Sequence, residues 1–150
     1  MIHILFASET GNAEEIARDT QKHLRRLGHE TTVLDMDDSR VTDLDGMNLC
    51  LAVVSTWGEG EPPSTGEDFY EELLDTPSDR FSKLKFSVYA LGDRSYEDFC
   101  QFGHDLDAAL HARGAQRVLP VVENDSDPEE CFEDWLAALE GHLKTEVAIS

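Results

Sequence analysis

Positive charge is what this sequence has least of: 12 Lys and Arg residues stand against 32 Asp and Glu, a formal net charge of -20 over 150 residues. Such a chain is repelled by nucleic acid and by anionic membrane surfaces, and its complementary partners are those with basic patches. Long apolar runs are missing too. The longest is 49–54, far short of a membrane span, and the opening MIHILFASE has neither a basic region nor a cleavage site. Cysteine is sparse, and Cys50, Cys100 and Cys131 are an odd number without CxxC spacing. That pattern reads as reduced thiols in a cytoplasmic protein, not as a disulfide frame or a metal site. The six histidines, His3, His23, His29, His104, His111 and His142, lack ligand spacing, and Ser, His and Asp form no persuasive nucleophilic set.

What is present is a regular alternation. Apolar runs at 2–7, 31–34, 49–54, 86–91 and 118–122 read as strands, continuous as expected for a parallel sheet covered on both faces. Amphipathic stretches separate them. Over 13–27, Ile16, Ala17, Thr20, Leu24 and Leu27 share one helical face, Gly28 sits at a left-handed C-terminal stop, and Gly114 repeats that stop after Leu106 and Leu110. For the last helix Asp127 is the cap, Pro128 the first helical residue and Glu130 the capping-box acid, with Phe132, Trp135, Leu136, Leu139 and Leu143 as its buried stripe. The expectation is one domain over 1–150, a three-layer α/β/α doubly wound sandwich around five parallel strands.

Ligands of such sheets sit beyond the carboxyl ends of the strands. There the sequence concentrates SETGNAEE, STWGEGEPP and GDRSYEDFC after strands one, three and four, while the other loops are bland. Ser8, Glu9, Thr10, Gly11 and Asn12 join a strand to a helix start, where hydroxyls, a glycine and unpaired N–H groups make a phosphate site, with an ordinary helix cap as the alternative. Neither GxxxxGK[ST] nor GxGxxG is present. Trp57 and Tyr96 rise from the other two loops, either to sandwich a planar heterocycle or simply to cover the sheet edge.

Taken together, ASETGNAEE, STWGEGEPP and LGDRSYEDFCQFG, in this order, resemble the flavodoxin family, and GEGEPP followed by LGDRSYEDFC is most similar to the FMN domains of diflavin reductases of the sulfite reductase flavoprotein type and to stand-alone short-chain flavodoxins. The resemblance implies a flavodoxin-like sheet of order 2-1-3-4-5 and non-covalent FMN. It implies that Ser8, Glu9, Thr10, Gly11, Asn12 and Ala13 wrap the phosphate and that Trp57 and Tyr96 pack against the ring. Ser55, Thr56, Gly58, Glu59, Gly60, Leu91, Gly92 and Asp93 then border the ribityl chain or ring edge, with Phe99 and Cys100 beside them; for Cys100 a flavin-neighbour role and a packing role stay open. Trp57 stands where the family usually has Tyr or another residue, and no insertion splits RVLPVV, as in the short-chain type.

The implied function is single-electron transfer from an NAD(P)H-dependent flavin reductase to a redox enzyme with a basic docking patch, by a monomer. The acids then have a purpose. A carboxylate from Glu59, Glu61 or Asp93 about 8 Å from the ring would, at an effective dielectric of about 20, oppose added negative charge by roughly 2 kcal/mol, up to roughly 85 mV. Glu59, Glu61, Glu67, Asp68, Glu97, Asp98, Asp125 and Asp127 would rim the exposed edge and orient a basic partner. Alternatives are a catalytic FMN-dependent NAD(P)H or quinone oxidoreductase, and an FMN domain excised from a diflavin reductase. A phospho-acceptor module of this architecture needs acids after strand one, Asp ending strand three and Lys ending strand five, where Ser8, Ser55 and Val122 stand.

Overall fold

The structure, a computed structural model, describes residues 2–7, 11–55, 64–91, 100–124 and 131–149. Strand β1 (Ile2–Ala7) leads into helix α1 (Asn12–Arg26), and β2 (Thr31–Asp35) into two 3-10 turns, Met36–Asp38 and Val41–Gly46. Then come β3 (Leu49–Ser55), α2 (Ser64–Leu74), β4 (Lys85–Leu91), α3 (Gln101–Ala112), the short strands β5 (Gln116–Arg117) and β6 (Val122–Asn124), and α4 (Phe132–Ile149). All strand pairs are parallel, in the order β2-β1-β3-β4-β5 with β6 also on β4. The three-layer sandwich expected from the alternation is the architecture found.

Alternate residues of the central strands feed two separate cores. Ile2, Ile4, Phe6, Leu49, Leu51, Val53, Tyr89 and Leu91 join Ile16, Ala17 and Leu24 of α1 and Trp135, Leu139 and Leu143 of α4. Leu5, Ala7, Cys50, Ala52, Val54, Phe86 and Val88 join Phe69 and Leu73 of α2 and Phe102, Leu106 and Leu110 of α3. Burial on both faces is why these strands read as unbroken apolar runs.

Both glycine stops are in place. Gly28 and Gly114 have φ of 92°, and each closes a Schellman pair: Gly28 N–H to Arg25 O with His29 N–H to Leu24 O, and Gly114 N–H to His111 O with Ala115 N–H to Leu110 O. Helix α4 buries Trp135, Leu136, Leu139 and Leu143 as expected, while Phe132 is only partly buried against the same core. Its proposed cap residues Asp127, Pro128 and Glu130 lie outside the described residues.

Three expectations need correction. Leu27 is not on the buried face of α1; it is the C-cap residue, turned out of the helix, and 41% exposed. No α-helix links β2 to β3, because residues 36–48 span that distance in two 3-10 turns that bury Met36, Val41, Leu44 and Met47 instead. The fifth strand is not continuous over 118–122. Phe86 pairs with Arg117 and Tyr89 with Val122, so residues 118–121 stand opposite only 87–88 and bulge out. Pro120 lies in that bulge, where its missing N–H leaves no ladder bond broken.

Candidate functional site

Strand register decides whether the three loops meet. Ala7 lies opposite Val54, Ser55 opposite Leu91, and Leu91 opposite Asn124, so β1, β3, β4 and β6 end level to within one residue. Segments 8–10, 56–63, 92–99 and 125–130 therefore all leave the same edge of the sheet. Between β1 and β3, where the strand order reverses, the adjoining helices lie on opposite faces and a crevice results. There the half-buried Ser55 hydroxyl donates a long 3.5 Å bond to Ala7 O, bridging the two strand tips.

Gly11 begins α1 in the left-handed region, φ 85° and ψ -5°, and Glu15 N–H donates to its carbonyl at 3.1 Å. A Cβ there would meet nothing within 4 Å, so it is the backbone angle and not crowding that favours glycine. Gly11 supplies no side-chain cap. Gly11 and Asn12 are exposed while Ala13 is fully buried, so the helix start is pinned to the sheet yet open to solvent. A 15-residue helix presents there the equivalent of roughly half a positive charge. Glu14 and Glu15 share that first turn, and Glu14 is engaged by Arg18 at 2.8 Å. An FMN phosphate fits this start: its charge meets oriented amides beside a residue with no side chain, without needing a cation.

Leu91 and Cys100 face inward. Leu91 is 6% exposed within the α1/α4 core, so only its backbone can border a ligand. Cys100, with φ 56°, is fully buried, and its thiol donates to Ala90 O at 3.4 Å, with Asn124 O at 3.9 Å. That is a packing arrangement for the side chain of a residue that directly follows segment 92–99. Ser8, Glu9, Thr10, Thr56, Trp57, Gly58, Glu59, Gly60, Gly92, Asp93, Tyr96 and Phe99 lie outside the described residues, as do the rim candidates Glu61, Glu97, Asp98, Asp125 and Asp127. Glu67 and Asp68 are exposed on the first turns of α2 at this same edge.

Sequence reasoning passed over Asn124. It ends β6, is completely buried, and its Oδ1 accepts from the Tyr89 hydroxyl at 2.8 Å and from Cys131 N–H at 2.9 Å. Its signal was a lone amide two residues past the apolar run, before an acidic loop. Arg25, Arg26, Lys85, Arg113 and Arg117 lie toward the strand starts, away from the loop edge, where the acids Glu30 and Asp45 also stand. No disulfide joins any of the three cysteines, and burial pushes the Cys50 thiol up to about 12. Among the described residues no group of His, Cys, Asp and Glu is arranged to hold a metal ion, and no helix is long and apolar enough to cross a membrane.

The same architecture is found in known proteins. The flavoprotein alpha-component of NADPH sulfite reductase from Bacillus subtilis (strain 168) is 41% identical over 143 residues, which are 95% of this chain and 23% of that protein. This chain thus spans about a quarter of such relatives. A cysteine variant of flavodoxin from Pseudomonas aeruginosa superposes with a TM-score of 0.83 at 33% identity, covering 95% of this chain and 98% of that one. A short-chain flavodoxin associated with a PDU bacterial microcompartment gives 0.84 at 29%, covering 96% and 97%. With the flavodoxin family model matching residues 4–135 and the strand order agreeing, this chain belongs to the flavodoxin family, the FMN-binding electron-transfer domains.

Proposed function

We propose that this protein carries single electrons from an NAD(P)H-dependent flavin reductase to a redox enzyme that docks through a basic patch. Bound FMN supplies the chemistry, since a flavin accepts or gives up one or two electrons. This chain binds, orients and shields it. The amides of Asn12 and Ala13, with Ser8, Thr10 and Gly11, hold the phosphate; Ser55, Thr56 and the segment 92–99 border the ribityl chain and ring; Trp57 and Tyr96 cover its faces.

The observation that carries this reading is the level ending of β1, β3, β4 and β6, which puts all three family-like segments on one edge. Charge supports the docking mode. Exposed Glu67 and Asp68 share that edge, while the described cations named above sit toward the other, so a basic partner is drawn to the flavin end first.

The test is electron transfer from a flavin reductase to the FMN-loaded protein at rising salt, paired with a reductive titration. Two resolved one-electron steps, and a rate that falls steeply with ionic strength, are expected. Rapid oxidation of NADPH by the protein alone would refute the carrier reading in favour of an oxidoreductase. The likeness to sulfite reductase flavoproteins favours a second reading, in which this chain is the FMN domain of a longer diflavin protein and receives its electrons from a flavin module in the same polypeptide. Reduction by an isolated reductase that shows no salt dependence at all would favour that reading.

A further inference from the structure

We propose that the open edge of β2 and the cavity beside it form a docking site for an extended segment of a partner protein that carries Lys or Arg, a site that takes no part in holding FMN.

The cavity follows from the missing helix. Because two 3-10 turns span residues 36–48, one face of β1 and β2 is left with a hollow of about 500 Å³, whose lining includes His3, Thr32, Leu34, Asp38, Asp43 and Met47. That volume falls within the roughly 300–1,000 Å³ of ligand pockets. Leu34 and Met47 suit the methylene stem of a long side chain, and the exposed carboxylates of Asp38 and Asp43 suit its cationic head. The cations nearby are engaged elsewhere: Arg25 donates to Thr31 O at 3.2 Å, and Arg40 Nε to Glu72 at 2.9 Å.

Strand phase opens the neighbouring edge. Ile2 is in register with Thr31, and its N–H donates to Glu30 O at 2.8 Å. In a parallel ladder the bonding residues alternate, so Glu30, Thr32 and Leu34 turn their backbone groups toward β1 while Thr31, Val33 and Asp35 turn theirs away. Among the described residues no strand pairs with β2 on that side. Both ends of the edge are closed, Thr31 O by Gln21 and Arg25 and Asp35 O by the Ser39 hydroxyl at 2.8 Å. Val33 lies between them, and its N–H and C=O have no partner among the described residues.

A single open residue cannot continue a sheet, which disfavours a second copy of this chain, as does the net charge of -20 that each copy carries. It holds instead one residue of an extended peptide through two main-chain bonds. Side chains alternate along that peptide, so the next residue points to the face of Thr32 and Leu34, where the cavity lies. Charge complementarity makes that residue Lys or Arg.

Calorimetric titration with two hexapeptides of equal charge tests the site, one alternating lysine with valine and one alternating lysine with proline, which has no N–H for Val33 O to accept. The lysine–valine peptide is expected to bind, and the lysine–proline peptide about fivefold more weakly, the worth of one hydrogen bond. Val33→Pro, which removes an edge N–H without breaking a bond to β1, is expected to weaken the first peptide by a similar factor. Asp38→Asn/Asp43→Asn is expected to weaken it about fivefold through two exposed ion pairs. Glu133→Gln/Asp134→Asn makes the same change of charge on α4, which packs on the opposite face of the sheet, and is expected to leave affinity within about twofold. Saturating FMN is expected to leave it unchanged. No binding of the lysine–valine peptide, equal binding of the two peptides, an α4 variant as weak as the cavity variant, or displacement of the peptide by FMN each overturns the proposal. Melting temperatures check the fold of each variant; should Asp38→Asn/Asp43→Asn fail to fold, Asp38→Asn is read against Asp134→Asn in the same way, and should Val33→Pro fail, the lysine–proline peptide decides.

Discussion

Gly103 and Gly141 offer the same substitution, glycine to alanine within a helix, with opposite expected signs. On α3, a Cβ at Gly103 would fall under 3.0 Å from Ala90 Cβ and 3.4 Å from Ala90 Cα, with Val88 Cγ1 at 3.7 Å. Ala90 belongs to β4, held between β3 and β6, and has no flexible end to swing aside. The helix must therefore retreat. Overpacking of this kind costs about 1–3 kcal/mol, and contact with backbone-fixed atoms belongs at the upper end. Alanine recovers about 1 kcal/mol of helix propensity, leaving a net loss of about 2 kcal/mol. On α4, Gly141 is exposed and its added Cβ meets nothing within 4 Å, so only the propensity gain of about 1 kcal/mol remains. At about 2–4 °C per kcal/mol for a domain of this size, Gly103→Ala should melt about 4–8 °C below wild type and Gly141→Ala about 2–4 °C above it. Thermal unfolding of the apo-protein followed by circular dichroism measures both, with no ligand linkage to correct for. A Gly103→Ala variant as stable as wild type would refute the close approach of α3 to β4, and with it the packing that seats Cys100 against Ala90.

Further outcomes follow from burial and charge. Burial lowers the His3 pKa below its ordinary 6.5, and its Nδ1 has no hydrogen-bond partner among the described residues. The unfolded chain therefore takes up the His3 proton first, and stability falls as pH drops below about 6.5, by at most about 1.4 kcal/mol per pH unit. Denaturant melts of wild type and His3→Leu between pH 7.5 and 5 should show this slope flattened in the variant. Asp107 of α3 is buried and bound by Arg117 of β5. Arg117→Met should cost about 1–3 kcal/mol by removing charged hydrogen bonds from the buried Asp107, and adding Asp107→Leu should restore most of it, since the cost lies in the carboxylate left behind and not in the exposed guanidinium. Alkylation followed by mass spectrometry should label half-exposed Cys131 in the native protein and spare Cys50 and Cys100 until it is unfolded.

Much of this molecule is written in local chemistry. The two-sided apolar runs, the stripe on α4 and the left-handed stops at Gly28 and Gly114 each depend only on residues near in sequence, so they are legible without a fold. The same holds for the glycine at the start of α1, whose backbone angle is a property of that residue. Leu27 misled because helical periodicity assigns faces but does not say where the helix stops turning. The run holding Pro120 reads as one continuous strand, because where it breaks and how many residues bulge depend on the pairing with β4. The site itself divides along that line. Which segments carry flavin-like chemistry was apparent from the letters, whereas their convergence required that Ala7, Ser55, Leu91 and Asn124 end level, a matter of register between strands up to 117 residues apart in the chain. Tertiary contact alone decided that Gly103 admits no Cβ and that Tyr89, Asn124 and Cys131 share one oxygen. Each of these depends on distances between residues remote in sequence, and such distances exist only once the sheet has formed.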